Sequence, residues 1–140
     1  MITVLNESQA RALLRSERVA RLGCIVNREP YITPINYLFE DDCVYSHSLA
    51  GTKINALREN PRACVQVDHV ESDLSWKSVM AFGNFEEIVE PGERNKILSK
   101  LLTRFALLTP VESTLVEDAG SPEVIVFRIR IDRITGVAEG

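Results

Sequence analysis

The sequence has few of the residues from which metal and disulfide sites are built. It contains three cysteines, Cys24, Cys43 and Cys64, and two histidines, His47 and His69. None of them forms a C-x-x-C or H-x-x-x-H spacing, and no carboxylate cluster stands at ligand spacing, so no metal site is expected. An odd number of widely spaced cysteines without a secretion signal favours reduced, buried thiols in a cytoplasmic protein.

Long apolar runs, basic excess and nucleotide fingerprints are also missing. The apolar stretches are far too short to span a bilayer, and no basic region followed by an apolar core opens the chain. A net charge of −4 gives no general attraction for polyanions. Neither nucleic acid nor a membrane is therefore expected as a partner. Gly23, Gly51 and Gly83 do not form a G-x-G-x-x-G fingerprint, so a Rossmann dinucleotide site is not indicated.

The 140 residues, 45% of them hydrophobic, suit a single domain spanning 1–140. Alternation of apolar and polar residues predicts about six strands, joined mostly by tight turns. An antiparallel sheet of that size tends to close into a barrel or to fold into a sandwich. The predicted strands are 19–26, 31–39, 43–47, 63–69, 76–89 and 124–134.

Helical spacing predicts three short helices, and one proline marks an unusual strand. Asn6 and Gln9 form a helix start, and the other two helices cover 51–60 and 91–105. The segment 109–122 is rich in loop-forming residues. Pro34 falls inside the second strand, where it removes a ladder donor, so it belongs at an edge or a bulge. This fits a place where the sheet opens for a ligand, and an edge strand without a function accepts it equally.

The segment 45–53, Tyr-Ser-His-Ser-Leu-Ala-Gly-Thr-Lys, carries the clearest chemical signal. A strand ends, a loop of small residues follows, and a helix begins. Backbone N–H groups at a helix N-terminus attract anions, while Ser48 and Thr52 add hydroxyl groups and Lys53 adds a positive charge. From the spacing alone, a phosphate site and a plain helix cap are equally good interpretations.

Three motifs in order give the sequence a family resemblance. They are Pro34-Ile35-Asn36-Tyr37, then Tyr45-Ser46-His47-Ser48, then Gly51-x-Lys53-x-x-x-Leu57-Arg58-x-Asn60-Pro61. Together with 78–83 and the closing 131–136, they resemble the flavin-binding split-barrel superfamily of pyridoxamine 5′-phosphate oxidase, in the branch that includes nitroimidazole-resistance proteins. The fold implied is mainly β with short helices, a six-stranded antiparallel split β-barrel of the FMN-binding type.

The resemblance also implies a cofactor, a partner and site residues. It implies a homodimer that holds FMN at the subunit interface and acts on a small molecule. The flavin ring would lie along Pro34, Ile35 and Asn36, and His47 would act as the catalytic residue beside it. The remaining cofactor-binding residues are those of the phosphate site and of a neighbouring strand, namely Ser48, Gly51, Thr52, Lys53, Trp76 and Ser78.

The function that follows is an FMN-dependent oxidoreductase. Electrons would pass from a reduced nicotinamide or another donor to a small acceptor such as a nitroaromatic compound, because a flavin brings its own redox chemistry. Three alternatives stay open: a flavin-binding or storage module without turnover, a relative that binds a deazaflavin or haem, and a scaffold that binds nothing.

Overall fold

The computed structural model describes residues 1–105 and 124–140, so the predicted loop 109–122 lies outside the described residues. The described part contains eight strands and three helices. The strands are β1 (Ile2–Val4), β2 (Val19–Val26), β3 (Glu29–Asn36), β4 (Leu38–Glu40), β5 (Cys43–Leu49), β6 (Arg62–Ser72), β7 (Ser75–Glu87) and β8 (Val124–Glu139). The helices are α1 (Glu7–Ser16), α2 (Thr52–Glu59) and α3 (Pro91–Arg104).

All the strands belong to one antiparallel sheet in the order β3-β2-β6-β7-β8-β5-β4, and β1 pairs with the far end of β8. The predicted class, mainly β with short helices, is confirmed. The strand count was underestimated, because β1 is a three-residue exposed strand and because the predicted strand 31–39 is divided into β3 and β4.

The division of that strand occurs at Tyr37, where the chain changes its pairing partner. On one side β3 pairs with β2, and on the other side β4 pairs with β5. The fully buried Tyr37 is fixed there by its N–H, which donates to Arg18 O at 3.2 Å, and by its hydroxyl, which donates to Leu14 O at 2.6 Å. The chain thus passes from one edge of the sheet, β3, to the other edge, β4, which pairs with β5. Along β3 itself the two edges lie apart.

The core lies on both sides of β8. Phe127 and Ile129 point into the barrel, which α1 and α2 close with Leu14, Ile54 and other side chains. Val126, on the opposite face, packs with Cys43, Tyr45 and the apolar side of α3. The predicted strand at 124–134 is thus part of β8, which contributes side chains to the core on both of its faces. No helix within residues 1–105 and 124–140 has the length and apolar character needed to cross a membrane.

The three cysteines carry free thiols, as predicted. Cys24 and Cys43 are buried, whereas Cys64 is only half-buried because it points outward from β6. Burial is the main cause that raises the pKa of all three thiols. Thiols in such surroundings are weak nucleophiles at neutral pH.

Candidate functional site

The candidate site begins where β3 separates from β5, which we call the split. The β4–β5 register pairs Leu38 with Tyr45, and two further steps along the same register would place Asn36 opposite His47. A main-chain ladder between β3 and β5 is not part of the sheet order described for residues 1–105 and 124–140. Instead, the Ser46 hydroxyl donates to Asn36 O at 2.6 Å and bridges the two strands. The structure therefore brings Asn36 and the 45–48 segment together.

Within the described part of the chain, the edge of β3 that faces the split has no ladder partner. Because the Tyr37 N–H bonds to β2, the alternation of an antiparallel ladder turns the backbone groups of Ile35 toward β2 as well. The N–H groups of Asn36 and Ile32 then point the other way, into the split. Pro34 stands between them and has no N–H, so it interrupts this edge. The prediction that Pro34 lies at a sheet edge is confirmed.

The N-terminus of α2 lies on the chain just beyond the split and has no side-chain cap. Gly51 is the N-cap residue, with φ 170° and ψ −159°, and within the described residues no side-chain cap bonds to the first turn. A Cβ added to Gly51 would meet no atom within 4 Å, so the approach to these N–H groups is open. The Ser48 hydroxyl donates to Leu49 O rather than capping the helix. The plain side-chain cap is therefore not formed among the described residues, and the anion site stays a prediction.

Lys53 brings a partly desolvated positive charge to this helix start. Its side chain is half-buried, and no carboxylate in the described part of the chain forms an ion pair with it. Burial lowers the pKa of the Lys53 ammonium, and the nearby Cys24 opposes that shift. A buried cation without a carboxylate is costly, and an anion bound beside it relieves that cost.

The pleat of the strands sorts the other predicted residues by face. Pro34 and Asn36 point away from the core, and His47 lies on the outer face of β5 with Tyr45. Ile35 is 5% exposed and packs in the core, so its side chain does not reach the split. Its neighbours in sequence, and not Ile35 itself, are the residues that face a ligand there.

Within one chain, Trp76 and Ser78 lie far from the split. They lie on β7, which is separated from β3 by β2 and β6, a distance of about 14 Å at the usual strand spacing. The Ser78 hydroxyl accepts a hydrogen bond from Gln66 Nε2 at 3.1 Å. Both side chains are half-buried on the outer face of the barrel.

A groove of about 730 Å³ on that outer face was not predicted. It runs along β2 and β6 and reaches Asn60 just after α2. Arg62 borders it and forms a two-point ion pair with Asp132. The alternation of polar residues along β2 and β6 indicates in the sequence which side chains face outward. Only the strand order shows that the outward-facing residues of these two strands lie side by side and can form a groove. The remaining lining residues are Arg21, Gly23, Ile25, Pro30, Tyr31, Ile32, Ala63, Cys64, Gln66, Met80 and Phe82.

Comparison with known proteins identifies the family. The sequence model of the pyridoxamine 5′-phosphate oxidase family matches residues 6–138. A crystal structure of a FAD-binding protein from Mesorhizobium loti is 30% identical, covers 100% of this chain and 99% of its own, and superimposes with a TM-score of 0.83. A 5-nitroimidazole antibiotic resistance protein of Bacteroides thetaiotaomicron, described as putative, has the same fold at 21% identity, with 99% of this chain and 87% of its own covered and a TM-score of 0.78.

The chain therefore belongs to the pyridoxamine 5′-phosphate oxidase family and has its split-barrel fold, as its motifs predicted. An uncharacterized protein of Rhizobium meliloti is also similar, 31% identical over 87 residues. That match spans 62% of this chain and 58% of the length of the Rhizobium protein.

Proposed function

We propose that the protein binds FMN at the split and uses it as an oxidoreductase. The observation that carries the proposal is the N-terminus of α2 without a side-chain cap among the described residues, with the half-buried Lys53 in its first turn, separated from the end of β5 by two residues. A phosphorylated flavin needs an anion site and, within reach of it, a flat apolar surface with a few backbone hydrogen bonds. Both requirements are met by neighbouring parts of one chain.

The phosphate would bind the first turn of α2. The N–H groups of Thr52 and Lys53 have no intrahelical acceptors, since a helix leaves its first donors unpaired. The helix dipole, the Lys53 ammonium and the Thr52 hydroxyl all favour an anion there. The Ser48 hydroxyl lies at the end of β5, where a small rotation would turn it from Leu49 O toward the same anion.

The ring would lie along β3. Its polar edge would accept the hydrogen bond of the Asn36 N–H, and Pro34 would provide an apolar contact. His47, opposite Asn36 in the extended register, would orient a small acceptor or transfer a proton to it. The bound flavin would supply the electron transfer, and a reduced nicotinamide would be the electron donor.

FAD is the second candidate cofactor, and the groove on the outer face favours it. FMN and FAD share the ring, the ribityl chain and the first phosphate, so both fit the site described above. FAD carries an additional adenosine phosphate, and the groove on the outer face has aromatic and arginine side chains that suit such a group. Chromatography of the flavin released from denatured protein distinguishes the two, because FMN and FAD elute separately.

We expect a homodimer that completes the site. Several large apolar side chains are exposed on the outer face, among them Ile32 at 71% and Val70 at 64%, together with Val19, Ile25 and Met80. A two-fold pairing of these faces would cover them. It would also place Trp76 and Ser78 of the partner subunit near β3, which one chain alone does not do.

Sedimentation equilibrium tests the dimer. The expected mass is twice that of the 15.7 kDa chain. Ile32→Asp should shift the protein toward monomer and weaken flavin binding, because it places an unpaired charge in the proposed interface. Val89→Asp is the control, since Val89 is 73% exposed outside that face. A parent monomer that retains flavin through desalting would contradict the dimer.

Anaerobic reduction of the bound flavin tests whether the protein is an enzyme. An oxidoreductase should bleach its flavin absorption with a reduced nicotinamide and recover it when a nitroaromatic acceptor is added. A protein that holds flavin but reacts with no donor or acceptor would be a binding or storage module instead.

A further inference from the structure

Among residues 1–105 and 124–140, Ser46 is the one buried residue with a small polar side chain, with 1% of its surface exposed. Its side chain points inward from β5, on the same face as the core residue Val44. Burying a hydroxyl is unfavourable unless it is hydrogen-bonded, and an alanine would avoid that cost. The 2.6 Å hydrogen bond to Asn36 O is therefore the feature that the hydroxyl provides.

That hydrogen bond fixes one peptide unit from both sides. The carbonyl of Asn36 and the N–H of Tyr37 belong to the same planar group. The N–H is bound to Arg18 O on the β2 side, and the carbonyl is bound to Ser46 on the β5 side. The Asn36 N–H belongs to the preceding peptide unit and points into the split, so the bond to Ser46 limits rotation about the Asn36 Cα–C bond and holds this part of β3 at a fixed distance from β5.

We propose that Ser46 is a positioning residue for the flavin, acting through the Asn36 peptide and not by contact with the flavin itself. The inference rests on the proposed function, since it concerns the N–H that would bond to the flavin ring. Among residues 1–105 and 124–140, the Ser46 hydroxyl is the hydrogen-bonding group that links β5 to β3 at Asn36. Without it, the edge of β3 that carries the Asn36 N–H would shift relative to β5, and a hydrogen bond of defined geometry to the ring would be weakened.

The test compares Ser46→Ala with the parent and with Ser46→Thr, which keeps a hydroxyl. Ser46→Ala should raise the flavin Kd by about tenfold, the usual effect of one lost hydrogen bond. It should also shift the visible absorption bands of the bound flavin, whereas Ser46→Thr should restore them. Ser16→Ala is the matched control, because the Ser16 hydroxyl also donates to a backbone carbonyl, Leu13 O at 3.2 Å, but far from the split.

The outcomes separate the two claims. If the parent binds flavin and Ser46→Ala has the same Kd and the same spectrum, the positioning role is wrong and the proposed function is unaffected. If the parent binds no flavin, the proposed function is wrong and the inference fails with it. If Ser46→Ala does not fold, Ser46→Thr is compared with Ser46→Cys, whose thiol is a weak donor. Identical flavin spectra in these two variants would also overturn the role.

Discussion

Lys53→Ala should raise the FMN Kd by about ten- to a hundredfold, the range for losing a charge-assisted hydrogen bond. The phosphate would lose the cation in the first turn of α2, while the helix N–H groups would remain. Riboflavin has the same ring but no phosphate, so its affinity should be nearly unchanged. Titration of both ligands by fluorescence quenching measures the effect as the loss of the parent's preference for FMN.

Lys96→Ala is the matched control for this substitution. It makes the same change in net charge, but Lys96 is an exposed residue of α3, so its FMN affinity should equal that of the parent. If Lys53→Ala and the parent show an equal preference for FMN over riboflavin, the proposal that the phosphate binds at the N-terminus of α2 is wrong.

The pH dependence of binding gives an independent check on Lys53. Because burial lowers the pKa of this ammonium below 10.5, Lys53 loses its proton at a lower pH than a free lysine. The preference for FMN over riboflavin should therefore decline as the pH rises, and the decline should begin below 10.5, the ordinary pKa of a lysine. Lys53→Ala should abolish this pH dependence. The sign for stability is opposite: the unfolded chain binds more protons in that range, so Lys53 makes the flavin-free protein more stable as the pH rises.

Gly83→Ala should lower the free energy of unfolding by about 3–5 kcal/mol, as expected of severe overpacking. The β7–β8 register shifts between Phe82 and Gly83 at this point, and β8 crosses close to the glycine. An added Cβ would overlap the carbonyl oxygen of Arg130 and would lie 2.7 Å from its carbonyl carbon and 3.0 Å from Ile131 Cα. Backbone atoms in two paired strands cannot move apart without breaking the ladder.

Thermal unfolding followed by circular dichroism measures this effect, and a drop in Tm of roughly 10–20 °C is expected for a chain of this size. Gly23→Ala is the matched control in β2, because its Cβ would meet Cys64 O at an ordinary 3.6 Å. The control should change the free energy of unfolding by less than about 1 kcal/mol. Equal Tm values for the two variants would show that the β7–β8 crossing is not as close as described.

The parts of the site that depend on local sequence were predictable. The strand, loop and helix of 45–53 form as expected, because the apolar alternation ends and helical spacing begins within a few residues. Pro34 indicated an edge, because a proline cannot donate to a central ladder. The family resemblance placed Ile35 along the flavin ring, whereas the alternation of the strand turns its side chain into the core with Tyr37.

The parts that depend on strand order were not predictable from one sequence. The apolar residues at alternate positions, Ile35, Tyr37 and Phe39, follow one regular strand pattern. Nothing in the local sequence therefore marks the change of pairing strand at Tyr37. The distance of Trp76 and Ser78 from β3 is likewise set by the two strands inserted between them. Pairing between distant segments is decided by packing of the whole sheet, and periodicity alone does not contain it.

The visible absorption spectrum of the purified protein, recorded before and after incubation with FMN and desalting, tests the central claim most directly. The account predicts that flavin bands remain with the protein after desalting and that they are shifted from those of free FMN, because the ring lies against β3. A colourless protein after desalting would contradict the flavin site. Deazaflavin and haem would then be the next ligands to test on the same split barrel.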